Sequence, residues 1–516
     1  MPFYYSSALL GCILLAGLFL SGCNSDDEQP FFVPQPPCTE THTQDSLSIQ
    51  QLYPELHAKM DTTTGVYVLE EGKQAMLSRA WLTDHAQETI DIQYFIFSAD
   101  NVGTIACDYL LRAAKRGVRV RIIIDDVVLH VESDFLLALE QHDNVEIKIY
   151  NPNINTGKKL GNKILNVITD FHGINQRMHN KTFIVDGRYV ITGGRNIADE
   201  YFDYDHAYNF RDRDVLLLGG VSSEVQKSFE EYWQDDLSVT VSDLISFSDS
   251  EYDYTAVHNY VRDYACNPDN FWPQIREEID NLPKYFDAIL HSDRVQWVTD
   301  IEFISDIPGK NAADTFLGGG GKTTSALLEL LEKAEKEIYI QSPYLVTSEP
   351  ARAAFKKVVE RGVAVHILTN SLSCTDNLEA FSGYVRDRKE LLETGVQIYE
   401  FRADAEIRKQ LLQSALQKNL GYQPTFAIHA KSMVIDDKTT VIGTFNLDPR
   451  SAHLNTECIT IINSSAITSQ VKAGMIAEQL PENAWRTTPD YNPDKEAGLS
   501  KRMKVKLRRL IPSSIL

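Results

Sequence analysis

The chain repeats itself, and the repeat limits the folds open to it. The stretch E-T-I-D-I-Q-Y-F-I-F (Glu88 to Phe97), a helical pattern and R-G-V-R-V-R-I-I-I-D-D (Arg116 to Asp126) return as K-E-I-Y-I-Q-S-P-Y-L (Lys336 to Leu345), a second helical pattern and R-G-V-A-V-H-I-L-T-N (Arg361 to Asn370). Further on, M-H-N-K-T-F-I-V-D-G (Met178 to Gly187) returns as I-H-A-K-S-M-V-I-D-D (Ile428 to Asp437). The copies lie about 250 residues apart, so a whole folding unit is duplicated. Each unit reads strand, helix, strand, with apolar runs rich in Ile and Val and a glycine, Gly117 or Gly362, closing each helix. The pattern predicts an α/β fold of two pseudo-symmetric halves, each a mostly parallel sheet flanked by helices, with the active site at their interface.

A lone His-x-Lys on a strand is ordinarily a half-exposed histidine beside a solvated lysine. Here both copies are followed by a Gly-containing turn ending in an amide, Gly193-Gly194-Arg195-Asn196 and Gly443-Thr444-Phe445-Asn446. Chance does not duplicate histidine, lysine, aspartate and asparagine in register. Residues i and i+2 of a strand share a face, so His179 projects with Lys181 and His429 with Lys431. Asp186 and Asp436, an odd number of positions on, face the other way and are expected to anchor backbone or a basic group.

Two histidines, two lysines (Lys181, Lys431) and two asparagines (Asn196, Asn446) in one pocket suit an anionic, tetrahedral group. Ammonium groups and amides hold its non-bridging oxygens. One neutral imidazole can attack phosphorus while the other protonates the departing oxygen. No cofactor is required, and two ammonium groups beside the histidines would repel a metal ion. Each histidine needs a carboxylate on its far nitrogen to fix its tautomer. The candidates are Asp212 or Asp214 in F-R-D-R-D-V, and Glu457 in L-N-T-E-C; Asp214, directly before an apolar strand, is preferred over Asp212.

A chain of 516 residues, 43% hydrophobic, can fill the cores of two ordinary domains. Its net charge of -22 argues against a general nucleic-acid binder, whose affinity comes largely from Lys and Arg. Ala8 to Leu20 is an apolar run of signal-peptide length, without a preceding Lys or Arg, and it ends in Leu20-Ser21-Gly22-Cys23. The polar, Pro-rich stretch after Cys23 suits a flexible tether. Cys107 and Cys458 lie in apolar segments and read as buried thiols. The remaining cysteines form no CxxC pair, and a disulfide among them is left unassigned. F-L-G-G-G-G-K-T-T (Phe316 to Thr324) imitates a phosphate-binding loop, yet Phe316 stands where that motif needs glycine, and the stretch reads as a flexible connection into a helix from Ser325. At the C-terminus K-R-M-K-V-K-L-R-R-L-I-P (Lys501 to Pro512) interleaves six basic residues with apolar ones, the pattern either of a membrane-surface contact or of a helix docked with a solvated basic face.

The doubled motif resembles the signature of the phospholipase D superfamily, H-x-K-x-x-x-x-D followed by a Gly-rich turn ending in Asn: His179, Lys181, Asp186 and Asn196, then His429, Lys431, Asp436 and Asn446. The segments I-T-D-F-H-G-I-N-Q-R-M-H-N-K and G-G-R-N-I-A-D-E-Y-F, and the closing R-R-L-I-P-S-S-I-L, look like the bacterial cardiolipin synthase C group. That resemblance implies exchange at phosphorus through a phosphohistidine, with His179 as nucleophile and His429 as acid and then base. It implies a phosphatidyltransferase that uses phosphatidylglycerol as acceptor and a phospholipid such as phosphatidylethanolamine as donor, at a membrane surface, and leaves room for an accessory protein. A hydrolytic phospholipase D is the nearest rival. A nuclease-like phosphodiesterase is disfavoured by the acidic balance, and a lipid-binding scaffold with a dead site by the two intact motifs. Leu20 to Cys23 resembles the bacterial lipobox, which implies a lipid on Cys23 and a catalytic body facing the periplasm; Asn24 after it is similar to outer-membrane lipoproteins. The expected organisation is a signal peptide over 1–22, lipidated Cys and tether over 23–50, a first phospholipase D-like unit over 51–240, a connecting segment over 241–290, a second unit over 291–490 and a basic segment over 491–516.

Overall fold

The computed structural model describes residues 34–38, 47–128, 133–152, 175–244, 254–270, 281–310, 320–409 and 424–509. The expected signal peptide, the expected lipidation site Cys23 and most of the expected tether lie outside these residues. Two mixed sheets carry the fold. The first is built from β1 (Thr64–Leu69), β2 (Thr89–Ile96), β3 (Arg119–Val128), β4 (Val145–Tyr150), β5 (Thr182–Val185) and β6 (Tyr189–Gly193). Beyond a separate strand β7 (Tyr208–Arg211) it adds β8 (Asp214–Leu218), β9 (Ser238–Thr240) and β10 (Gln296–Val298), in the order β10-β1-β8-β6-β5-β2-β3-β4-β9. The second contains β11 (Ile301–Ser305), β12 (Glu337–Gln341), β13 (Ala364–Asn370) and β14 (Gln397–Phe401). After β15 (Thr425–Ile428), it continues with β16 (Lys431–Ile435), β17 (Thr439–Gly443), β18 (Cys458–Asn463) and β19 (Ala484–Thr487), in the order β11-β18-β17-β16-β12-β13-β14-β19.

The duplicated strand-helix-strand segments form the parallel triplets β2-β3-β4 and β12-β13-β14. The expectation of mostly parallel sheets fails outside them, because β5 and β16 join their sheets antiparallel to β2 and β12 and continue through tight hairpins into β6 and β17. At the first hairpin Asp186 and Gly187 both take positive φ, 49° and 63°, as the central residues of a turn that Arg188 N closes by donating to Val185 O at 3.1 Å, with Arg188 as a third residue before β6. The boundary expected at 291 also moves: β10 pairs with β1 and so completes the first sheet.

Helices α1 (Gly72–His85) and α2 (Asn101–Lys115) cover one face of the first sheet, where Ile90, Ile92 and Tyr94 of β2 meet Leu77, Trp81, Leu110 and Leu111. Asp100 caps α2 by accepting from Gly103 N, and Gly117, at φ 98°, turns the chain out of it. On the opposite face α3 (Ser222–Trp233) contributes to a core that runs continuously into the second sheet, joining Val190, Leu217 and Phe229 to Val434, Ile442 and Val471. Helix α4 (Tyr254–Cys266), within the expected connecting segment, packs on α2. In the second half α5 (Lys322–Lys333), α6 (Glu349–Glu360) and α7 (Leu378–Glu393) form the outer layer, α8 (Ser465–Glu478) the inner one, and α9 (Leu499–Arg508) lies on α7.

Two sequence expectations resolve here. Cys38 and Cys266 form a disulfide, which ties a point within the expected tether to the end of α4, while Cys107, Cys374 and Cys458 are buried thiols. The helix after the glycine run begins at Lys322, three residues earlier than expected, and Asp306 fills its N-terminus by accepting from Thr323 N at 3.0 Å and Thr323 Oγ1 at 2.8 Å. A carboxylate of the protein occupies the place a phosphate would take. Among the described residues no helix is long and apolar enough to cross a membrane.

Candidate active site

Each half contributes one His-Lys strand, and the two histidines are buried. His179 precedes β5 and His429 precedes β16. Their orienting carboxylates come from the opposite halves. His179 Nδ1 lies 2.8 Å from Glu457 Oε2, and His429 Nδ1 lies 2.5 Å from Asp212 Oδ2. Backbone pairing across the interface explains the exchange. β15 runs parallel to β7 with Ile428 opposite Arg211, so the next residues, His429 and Asp212, are neighbours. In the other direction Met178 pairs in parallel with Thr456, which sets His179 beside Glu457. The amides close the same ladder: His179 N donates to Thr456 O at 3.0 Å and His429 N to Arg211 O at 2.8 Å.

Asp214, the preferred orienting residue, is corrected to Asp212. Its carboxylate accepts from Arg79 at 2.9 Å and from Arg195 N at 3.2 Å, at the start of β8 and inside the first half. Asp212 stands in the gap between β7 and β8, extending the strand that pairs with β15. Gly194 makes room for it, since a Cβ there would sit 2.1 Å from Asp212 Oδ1.

Two positioning residues escaped sequence reading. Asp125, in the C-terminal half of β3, accepts from Met178 N at 2.8 Å and from Arg177 at 3.3 Å. Asn370, at the end of β13, accepts from Ile428 N and donates to Ile428 O, both at 2.8 Å. Each grips the residue before a catalytic histidine. They hold the same place in the duplicated R-G-V segments, so alignment of the repeat carried a signal for both.

Asp186 and Asp436, which the signature groups with the catalytic histidines and lysines, anchor backbone instead, as strand parity indicates. Asp186 accepts backbone amides of Gln87, Glu88 and Thr89, and Asp436 those of Glu335, Lys336 and Glu337, fastening each His-Lys strand to the start of the strand beside it. Neither is part of the reacting constellation. Asn196 Oδ1 accepts from Ile96 N, and Asn446 Oδ1 is buried without a hydrogen-bond partner.

Electrostatics follow from burial. Burial, reinforced by Lys181 and Lys431, holds His179 well below the ordinary imidazole range. Burial and Lys431 push His429 down to about 4, against the pull of Asp212. Burial and Lys431 lower the Lys181 ammonium to about 7, and burial lowers Lys431 to about 8. Burial opposes ionisation of Asp212, yet His429 and Lys431 hold it well below the usual carboxylate range. Burial raises Glu457 to about 7 against the pull of Lys181. Phe95 stands edge-on to His179, Tyr201 edge-on to His429, and Phe210 tilted against His429, which keeps water from the rings' flanks. Lys431 Nζ lies 2.8 and 2.9 Å from the two His429 nitrogens, and Lys181 Nζ donates to His179 O at 2.8 Å. The constellation therefore holds two imidazoles with Nδ1 engaged and two destabilised cations that an anion would relieve.

The family model of the cardiolipin synthase PLD-like domain matches twice, over residues 82–233 and 327–477. Cardiolipin synthase C of Escherichia coli (strain K12) is 33% identical over 445 residues, covering 83% of this chain and 87% of the relative. An uncharacterised protein of Helicobacter pylori (strain ATCC 700392 / 26695) is 33% identical over 430 residues, 83% of this chain and 82% of the relative. The crystal structure of phosphatidylserine synthase from Haemophilus influenzae Rd KW20 shares the fold, with a TM-score of 0.56 at 12% identity, over 90% of this chain and all of that one. The doubled match, over the halves whose strands build the paired histidines, establishes that this chain belongs to the phospholipase D superfamily, in the PLD-like domain family of the cardiolipin synthases.

Proposed function

We propose that the protein is a phosphatidyltransferase that makes cardiolipin or a related diphosphatidyl lipid. The observation that carries this reading is the crossed pairing of each histidine with a carboxylate of the other half, which commits both Nδ1 atoms and so reserves the Nε2 atoms for chemistry, that of His429 beside Lys431 Nζ at 2.9 Å. The names of its relatives support a phospholipid substrate: cardiolipin synthase C at 33% identity and cardiolipin synthase of Alkalihalophilus pseudofirmus at 25%.

In the proposed reaction His179 Nε2 attacks the phosphorus of a donor phospholipid. The bond from phosphorus to the headgroup oxygen breaks, and His429 gives its proton to that oxygen. A glycerol hydroxyl of phosphatidylglycerol then loses its proton to His429, and its oxygen attacks phosphorus to release His179. Lys181, Lys431 and the amides of Asn196 and Asn446 hold the non-bridging oxygens. A bound phosphodiester anion offsets Lys431, and with Asp212 it favours the protonated His429 needed in the first step. Metal-independent chemistry follows from these cations, which occupy the place a metal ion would need.

The proposed setting is the periplasmic side of the bacterial envelope, anchored through Cys23, with the outer membrane favoured by Asn24. The Cys38–Cys266 disulfide supports an oxidising compartment. The test is to incubate purified protein in mixed micelles with phosphatidylglycerol and phosphatidylethanolamine and resolve the lipids by mass spectrometry beside His179→Ala. Cardiolipin formed only with the intact histidine is the expected result. Phosphatidic acid as sole product would replace the reading with a hydrolytic phospholipase D.

A further inference from the structure

Among the described residues, helix α9 is held to the body by one side. Val505 is buried, Arg508 pairs with Glu379 at 2.5 Å, and Ser382 Oγ donates to Arg508 O at 3.3 Å, all on the side facing α7. On the other side Leu499, Met503 and Leu507 are 67%, 53% and 72% exposed. Their i, i+4, i+8 spacing lines them up in one stripe about 80° wide at about 100° per residue. Arg502 and Lys506 border the stripe on one edge and Lys504 on the other. Among the described residues, neither Lys504 nor Lys506 is paired with a carboxylate. An exposed apolar stripe between free cations is costly in water and unusual on a chain of net charge -22.

The helix also has a fixed relation to the active site. Lys501 Nζ donates to Ser373 O and Thr375 O, each at 3.2 Å, and so grips the loop that carries Asp376. Asp376 accepts from Tyr344 OH at 2.8 Å and is felt electrostatically by both His429 and Lys431. The N-terminal end of α9 is thus fastened to the loop whose Asp376 carboxylate acts on His429 and Lys431.

We propose that α9 docks on an anionic phospholipid bilayer, Leu499, Met503 and Leu507 entering the headgroup boundary and the flanking cations meeting lipid phosphates, so that the pocket faces its substrate in the plane of the membrane. The occupant is an anionic lipid surface because the stripe's borders are cationic. The purpose assigned to the docking rests on the phosphatidyltransferase reading; the docking itself does not.

The test uses the full-length protein carrying Met503→Cys, labelled with an environment-sensitive fluorophore and compared with a label at Lys356→Cys on α6. The other described cysteines are buried or disulfide-bonded. Vesicles of phosphatidylglycerol and phosphatidylcholine containing headgroup-quencher lipids are expected to quench the label at 503 at least about twofold more than that at 356. The difference should shrink in pure phosphatidylcholine or near 1 M salt. The triple variant Leu499→Ser, Met503→Ser, Leu507→Ser should turn over vesicle lipid about tenfold more slowly and micellar lipid at the parent rate. Equal quenching at the two sites would overturn the proposal, as would a label at 503 already shielded before vesicles are added, which would mean that another protein surface covers the stripe. Insertion without phosphatidyl transfer in micelles would leave the docking intact and remove the proposed function; transfer in micelles without insertion would do the reverse.

Discussion

Asp212→Asn and Asp214→Asn differ by two positions in sequence and should fail in different ways. The His429–Asp212 contact is 2.5 Å, with side chains 6% and 0% exposed. Asparagine can still accept from Nδ1–H but carries no charge to stabilise the imidazolium. A hydrogen bond to a charged group is worth about 1.5–3 kcal/mol, and a tenfold rate change corresponds to about 1.4 kcal/mol, so turnover should fall roughly 10- to 150-fold with little change in stability. Asp214 faces Arg79 at 2.9 Å, with side chains 0% and 9% exposed. Removing its charge strands a buried guanidinium, at a cost of about 3 kcal/mol, and leaves the folded molecule's rate unchanged. Phosphatidyl transfer in micelles, normalised to the folded fraction from pulse proteolysis in urea, separates the two effects. An Asp214→Asn enzyme that is stable but inactive, beside an Asp212→Asn enzyme at full rate, would refute the crossed pairing.

Three further outcomes are expected. Gly194→Ala should displace Asp212, because the added methyl would sit 2.1 Å from its Oδ1; its rate loss should match that of Asp212→Asn, and the double variant should be no slower than either single one. The values of about 7 for Lys181 and about 8 for Lys431 mean that positive charge is lost as pH rises through that window, so kcat/KM for an anionic lipid should decline on its alkaline side there. Lys181→Arg, which keeps its charge, should move that limb to higher pH even if its maximal rate is lower. Asp186→Asn should lower stability by about 1–2 kcal/mol in thermal or urea unfolding, since three amides lose a charged acceptor, while turnover per folded molecule stays the same.

How much of this was legible in the chain depends on the range of the interaction. Strand parity alone put His179 with Lys181, His429 with Lys431, and Asp186 and Asp436 on the other face, because side-chain direction in a strand is a property of adjacent residues. The helix-closing glycines and the Asp186-Gly187 turn are local for the same reason. The repeat announced two halves and, through the matching positions in the duplicated R-G-V segments, even the places of Asp125 and Asn370. Sequence proximity to an apolar strand favoured Asp214, and that inference failed. The choice is made by β7 pairing with β15, strands more than two hundred residues apart.

The sequence by itself determined the elements, the duplicated chemistry and the face on which each histidine stands, since these follow from backbone geometry and composition over a few residues. Only the tertiary structure decided that each histidine takes its carboxylate from the opposite half and that most strand pairs outside the triplets are antiparallel. It also decided that Cys38 meets Cys266 and that α9 leaves its apolar stripe uncovered. These outcomes depend on which distant backbone groups pair and which apolar faces find a partner, and a residue's neighbours in the chain do not carry that information.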